Sequence, residues 1–187
     1  MLSAVLLALL GGVTALPAAA PSVTIANGTV VGSTSNGVDS FKGIPFAQPP
    51  TGTNRLKPPV PLETGFGTFQ ATGSPNACPG LVSQSNNTGL PGDVIGLLTT
   101  SPLFQAVLGE DEDCLTLNVQ RPSTASPDNP LPVVFWIYGG GFELGSTSMY
   151  DGSSLISQSV QLGEPIIYVV SQLATLARAI EISKTFQ

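Results

Sequence analysis

The sequence contains no histidine among its 187 residues. That absence excludes a catalytic triad with an imidazole base within these residues, because such a triad needs the imidazole to take the nucleophile's proton and return it. Charge is scarce as well. Only 10% of residues are charged, where about 25% is usual. Six are Lys or Arg, and the net charge is −6. So few cations exclude nucleic acid as a partner, since binding phosphate needs a basic surface. No stretch approaches the ~20 consecutive apolar residues of a transmembrane span. The four carboxylates Glu110–Asp113 lack the alternating oxygen ligands and the glycine of a calcium loop, so they read as a solvated turn or an ion pair with one of the few arginines. The sequence therefore assigns no metal site and no cofactor. What it has in plenty is Gly (21) and Pro (17).

Residues 1–20, MLSAVLLALLGGVTALPAAA, read as a cleaved secretory signal. The apolar run Val5–Leu10 is too short for a bilayer, and Val13-Thr14-Ala15 fits the small-x-small pattern for cleavage after Ala15. Cleavage after Ala20 is the alternative site, and a buried N-terminal helix the alternative structure. Secretion would place Cys78 and Cys114 in an oxidising compartment, where an even number of cysteines pairs. Closing that loop would stabilise by about 3–4 kcal/mol; two buried free thiols are the other reading. Asn27-Gly28-Thr29 and Asn86-Asn87-Thr88 are N-glycosylation sequons.

From Val23 the pattern predicts an antiparallel hairpin. Val23 and Ile25 alternate with polar residues, Asn27-Gly28 offers a two-residue turn, and Val30-Val31 resume the strand. Phe41–Phe46 reads as an extended segment closed by the prolines at 49 and 50, and residues 51–77 as irregular chain laid over a core. Residues 83–92 are a polar loop. Ser101-Pro102 then caps a short helix whose Leu103, Phe104, Val107 and Leu108 fall at helical spacing. Such a helix either packs on the core or forms a lid with an apolar underside. Cys114–Val119 alternates with period two, which predicts a half-buried strand, and residues 121–130 a surface loop. Pro165–Val170 is a further candidate buried strand.

The segment Leu131–Phe142, LPVVFWIYGGGF, organises the rest. Six consecutive apolar residues, Val133–Tyr138, predict a central strand buried on both faces. Three glycines then deliver bare backbone to its carboxyl end, where ligands bind in open α/β sheets. Taken alone, they are either a flexible turn or a pair of amides able to receive an oxyanion.

Four motifs occur in order: GIPFAQPP at 43–50, RLKPP at 55–59, EDCLTLNV at 112–119 and WIYGGGF at 136–142. In order and spacing they resemble the type-B carboxylesterase/lipase family, and the fungal lipases of the Candida rugosa and Geotrichum type within it. The resemblance implies an α/β class: the N-terminal portion of an α/β-hydrolase fold, with antiparallel strands leading into an incomplete central sheet. It implies oxyanion-hole amides at Gly140 and Gly141, a Cys78–Cys114 disulfide enclosing a lid over about 79–113, and a structural salt bridge between Arg55 and Glu112. The implied activity is hydrolysis of carboxylic esters, with an ester or lipid substrate and lid contact at a lipid surface, in a secreted protein.

The chain departs from that family in two ways. In this fold the nucleophile belongs to a G-x-S-x-G elbow followed by an acid and a histidine. No serine here has glycines two residues before and after it, and there is no histidine. The family pattern stops after the strand at 165–170, and residues 171–187 form a tail foreign to it. The expected organisation is thus a signal over 1–20, part of a carboxylesterase domain over 21–170, and the tail. A non-catalytic binding member of the family and a nonfunctional truncated product are the competing readings. A frameshift, misread intron or premature stop near residue 170 would explain the tail. Sequencing the transcript past the codon for Val170 should uncover a frame encoding G-x-S-x-G and a later histidine; no such frame would refute that explanation.

Overall fold

The computed structural model describes residues 19–79, 110–138 and 146–171. Residues 1–18 of the predicted leader, Asn86, the lid helix, the three glycines and the tail after Ser171 lie outside these residues.

The first strands are the hairpin β1 (Ser22–Ile25) and β2 (Gly28–Val31). Ile25 pairs with Gly28, so the turn residues are Ala26 and Asn27, one position earlier than the sequence suggests. Gly28 serves the strand and not the turn. Its φ is 146°, and a Cβ there would collide with the Gly67 carbonyl oxygen. Only glycine lets β2 lie this close to β5 (Gly67–Gln70), with which it pairs in parallel. A 3-10 turn over Gly52–Asn54 and β5 interrupt the stretch 51–77 expected to be irregular, and β5 completes a three-stranded sheet in the order β1-β2-β5.

A second sheet holds β3 (Ser33–Ser35), β4 (Val38–Pro45), β6 (Thr116–Pro122), β7 (Val133–Ile137) and β8 (Ile167–Ser171). Their order is β3-β4-β6-β8-β7. All pairs are antiparallel except β7 with β8, which run parallel. Between those two the chain forms the helix α1 (Ser153–Gln161), which the sequence reading did not anticipate. The architecture is α/β, and in the large sheet antiparallel strands come first and a parallel pair last.

Two apolar clusters hold these layers together. Ile25 and Val30 of the small sheet meet Phe41, Leu117, Val119, Ile167 and Val169 of the large one. On the opposite face Ile156 of α1 meets Val38, Tyr168 and Val170. Sheet residues alternate sides, so β6 and β8 are covered on both faces by elements of different kinds.

Two strand expectations need correction. β6, expected half-buried, is buried almost throughout, because it lies between β4 and β8 with cover above and below. β7, expected central and buried on both faces, is an edge strand among the described residues. Val133 and Phe135 pack on the first cluster, whereas Val134 and Trp136 are 40% and 46% exposed.

A cross-strand ion pair ties β4 to β6. Arg121, placed in β6 and not in a surface loop, donates from Nε to Asp39 Oδ2 at 3.3 Å, with side chains 13% and 6% exposed. Thr34 donates to the other carboxylate oxygen at 2.6 Å, and the guanidinium lies over the Phe41 ring. Removing one partner of a buried pair leaves a charge without its counterion. Asp39→Ala should therefore cost about 3 kcal/mol in urea unfolding at neutral pH. A loss within the ~0.5 kcal/mol typical of surface changes would contradict this account.

Candidate active site

β7 begins directly after Pro132, whose carbonyl accepts the Ile167 amide at 2.9 Å and starts the parallel pair in register. The pair ends with Ile137 opposite Ser171. Tyr138 follows, and in sequence Gly139, Gly140 and Gly141 come next. The described chain resumes at Ser146, makes a 3-10 turn over Thr147–Met149, and reaches α1 through Tyr150, Asp151 and Gly152. The predicted oxyanion residues thus lie in the connection that leaves the carboxyl end of a parallel strand.

The two flanks of that connection touch. The Tyr138 and Tyr150 rings stack with centroids 5.8 Å apart, and Trp136 meets Tyr150 at 6.0 Å. Burial, and then the proximity of Tyr150, push the Tyr138 phenol up to about 12. It stays neutral at physiological pH and can donate a hydrogen bond, but it is no base.

Beneath the resumed chain, the inward amides of β6 supply polar contacts. Asn118 Nδ2 donates to the Thr147 carbonyl at 3.2 Å. Gln120 Oε1 accepts the Gly152 amide at 2.7 Å, and its Nε2 faces Ser153 Oγ, Ser40 Oγ and Asp151 Oδ2. The Ser153 hydroxyl leads the causes that hold the Asp151 carboxyl below its ordinary value. Sequence reasoning missed this group. Alternation over Cys114–Val119 predicted a half-buried strand, which left Asn118 on its polar side and did not include Gln120, and residue type alone did not reveal that this side is covered.

At the same end of the sheet, Cys78 and Cys114 are joined in a disulfide with Cα atoms 5.1 Å apart. Ala77 bridges to Glu110, and Asp111 donates its amide to the Ala77 carbonyl at 2.9 Å. Residues 77–78 and 110–114 therefore lie side by side although 36 positions separate the cysteines. Glu112 contacts Arg55 in an ion pair that is partly open to solvent. Next to it a cleft of about 270 Å³ is lined by Lys42, Phe69, Pro75, Asn76, Asp113 and Thr116. Burial, and then Asp111, raise the Asp113 carboxyl. Asn27 lies in the β1–β2 turn, well away in sequence from these groups, with its side-chain amide donating to the Leu62 carbonyl at 3.4 Å. Among the described residues no three Asp, Glu or Cys side chains converge to hold a metal, and no helix is long and apolar enough to cross a membrane.

The carboxylesterase family model matches residues 19–171, most of the chain. The chain belongs to the carboxylesterase family. It is 50% identical over 155 residues to Secreted lipase 1 of Botryotinia fuckeliana, covering 81% of this chain and 27% of that one. Lipase 4 of Diutina rugosa is 46% identical over 154 residues, with 81% and 28% covered. The crystal structure of Aspergillus niger EstA superposes with a TM-score of 0.63 at 29% identity, covering 82% of this chain and 26% of that one. The fold is the N-terminal portion of an α/β-hydrolase, and this carboxylesterase chain spans about a quarter of the length of the relatives it matches.

The two ties beside the acidic turn differ in expected weight. Replacing both Cys78 and Cys114 by serine should cost about 4 kcal/mol, the entropy of a loop this long. Arg55→Gln should cost less than ~1 kcal/mol, and less again in high salt, because exposed pairs are screened. Urea titrations of the two variants at low and high salt check the ranking; an Arg55 effect equal to that of the cysteines would reverse it.

Proposed function

We propose that this chain is the N-terminal portion of a secreted carboxylic ester hydrolase, and that Gly140 and Gly141 donate backbone amides to its oxyanion hole. What supports this reading is sequence position: the three glycines follow Tyr138, which continues β7 past the end of its parallel pairing with β8, in a member of the carboxylesterase family. In ester hydrolysis a nucleophile attacks the carbonyl carbon, and the carbonyl oxygen gains the charge. Two fixed amides stabilise that oxyanion more than they stabilise the ester, which lowers the barrier.

The nucleophile, its base and the acid that orients the base are outside this chain's resources, since it has no histidine and no G-x-S-x-G. Alone it is inactive. Residues 1–20 act as the secretory leader, 21–170 as the carboxylesterase portion, and 171–187 contribute nothing to the site. The segment about 79–113, tied at its base by Cys78–Cys114, serves as a lid whose apolar residues meet the lipid surface bearing the substrate. The relatives named as secreted lipases support both the location and the ester or lipid substrate. Asn27 and Asn86 are its glycan acceptors.

Two assays test this. The purified chain should hydrolyse p-nitrophenyl esters no faster than buffer; sustained turnover would overturn its inactivity. A chimera with residues 19–171 in place of the matching segment of Secreted lipase 1 should hydrolyse the same esters. Gly141→Pro, which deletes one amide donor, should then lower kcat about 10²–10³-fold. Unchanged kcat in that variant would remove Gly141 from the oxyanion hole.

A further inference from the structure

The sequence holds two Asn-Gly dipeptides, at 27–28 and 36–37, and one Asp-Gly, at 151–152. All three share a latent reaction. A glycine nitrogen, with no side chain beside it, can attack the side-chain carbonyl carbon of the residue before it and close a five-membered imide. The attack needs that nitrogen free and the preceding side chain able to swing onto it. The fold therefore decides which of the three can react.

Two are held. Asn27 donates from Nδ2 to the Leu62 carbonyl at 3.4 Å, and its own carbonyl accepts the Phe66 amide at 2.7 Å. Gly28 pairs with Ile25 on one side and with Gly67 on the other. In the Asp-Gly dipeptide the Gly152 amide donates to Gln120 Oε1 at 2.7 Å, while Asp151 Oδ1 accepts the Ser153 amide at 2.9 Å. Asn36-Gly37 is different. It forms the two-residue turn between Ser35 of β3 and Val38 of β4, and both its residues are exposed. Among the described residues neither the Asn36 side chain nor the Gly37 nitrogen has a hydrogen-bond partner, although the Gly37 carbonyl accepts the Ser123 amide at 2.9 Å. Nothing lies within 4 Å of where a Gly37 Cβ would be. The left-handed backbone of Asn36, φ 49°, suits a hairpin turn. β3 is exposed along its whole length, so opening this turn costs little.

We propose that Asn36 is a site of spontaneous covalent modification, deamidation to aspartate and isoaspartate, and that the fold confines the reaction to this one of the three dipeptides. The Gly37 nitrogen gives up its proton and bonds to Asn36 Cγ. The bond from Cγ to Nδ2 breaks, and ammonia leaves with that proton. Water then opens the imide at one of its two carbonyls, giving aspartate or, with one more methylene in the backbone, isoaspartate. Both products put a negative charge three positions from the buried Asp39. Isoaspartate also lengthens the turn that sets Thr34 opposite Asp39. Thr34 then loses its 2.6 Å donation to Asp39 Oδ1, while Arg121 keeps the other oxygen. β3 comes away from β4, and the β4–β6 pairing stays.

The test ages the whole chain, produced without glycans, in mildly alkaline buffer and locates the new acid by tandem mass spectrometry. Asn36 should react at least about tenfold faster than Asn27, whose hydrogen bonds must first open. Asp151 should yield no isoaspartate. In concentrated urea the two asparagines should react at comparable rates, because the dipeptides are the same. Asn36→Gln should abolish the product, since its imide ring would have six members and closes far more slowly. Hydrogen exchange in the aged chain should rise at 33–35 and not in β6; unchanged exchange at 33–35 would refute the loss of register. The chimera carrying residues 19–171 gives the same comparison in a full-length host. Equal rates for Asn27 and Asn36 in both chain and chimera would overturn the proposal, and so would an Asn36 that reacts in urea but not in native buffer.

Discussion

β6 is the strand with covered neighbours on every side, and the rest of the structure depends on how it meets that constraint. Its odd-numbered residues Leu117 and Val119 give the small sheet an apolar floor. Its even-numbered residues Asn118 and Gln120 are also buried but polar. A covered polar face is tolerated only where hydrogen bonds replace water. The partners here come from β4, from the 3-10 turn after the glycines, and from the start of α1. The requirement to satisfy two buried amides therefore locates three otherwise separate pieces of chain. Apolar residues at the same positions could have filled the space, but without direction, because the hydrophobic effect is non-directional and does not distinguish one backbone carbonyl from another.

Much of the large sheet was legible because strand periodicity and turn chemistry are local. The β1–β2 hairpin and the segments that became β4, β6, β7 and β8 could be read from alternation or apolar runs. Burial was not legible in the same way. Alternation in β6 reports two unlike faces, not an exposed one, and the sequence cannot tell a solvent face from a hydrogen-bonded one. The continuous apolar run of β7 led to the opposite error. α1 escaped because SSLISQSVQ contains few strong helix formers, so it owes its form to Ile156 docking on Val38, Tyr168 and Val170 more than to propensity.

What the sequence offered of the candidate site was a backbone pattern. Three glycines after an apolar run suggest an amide-lined turn, and motif order supplied the family. The residues that hold the flanks of the glycine connection gave no such sign. Tyr150 lies twelve positions from Tyr138, and Gln120 thirty-two from Gly152; these contacts exist only once β6, β7 and β8 are assembled. Long-range side-chain contacts of this kind leave no trace in a local pattern.

The residue pattern of β7 adds a last constraint. In parallel sheets with both faces covered, strands are continuously apolar; strands with one wet face alternate. β7 has the first pattern and, among the described residues, the second environment, with Val134 and Trp136 partly open. Tyr150 covers part of Trp136, and the neighbouring strand β8 lies on one side only. Exposed apolar area of this sort costs on the order of 25 cal/mol per Å² relative to burial. The strand is therefore suited to a sheet in which further structure covers it, and its relatives are chains about four times the matched length. The apolar residues of β7 that face outward thus fit a sheet whose cover extends past this edge.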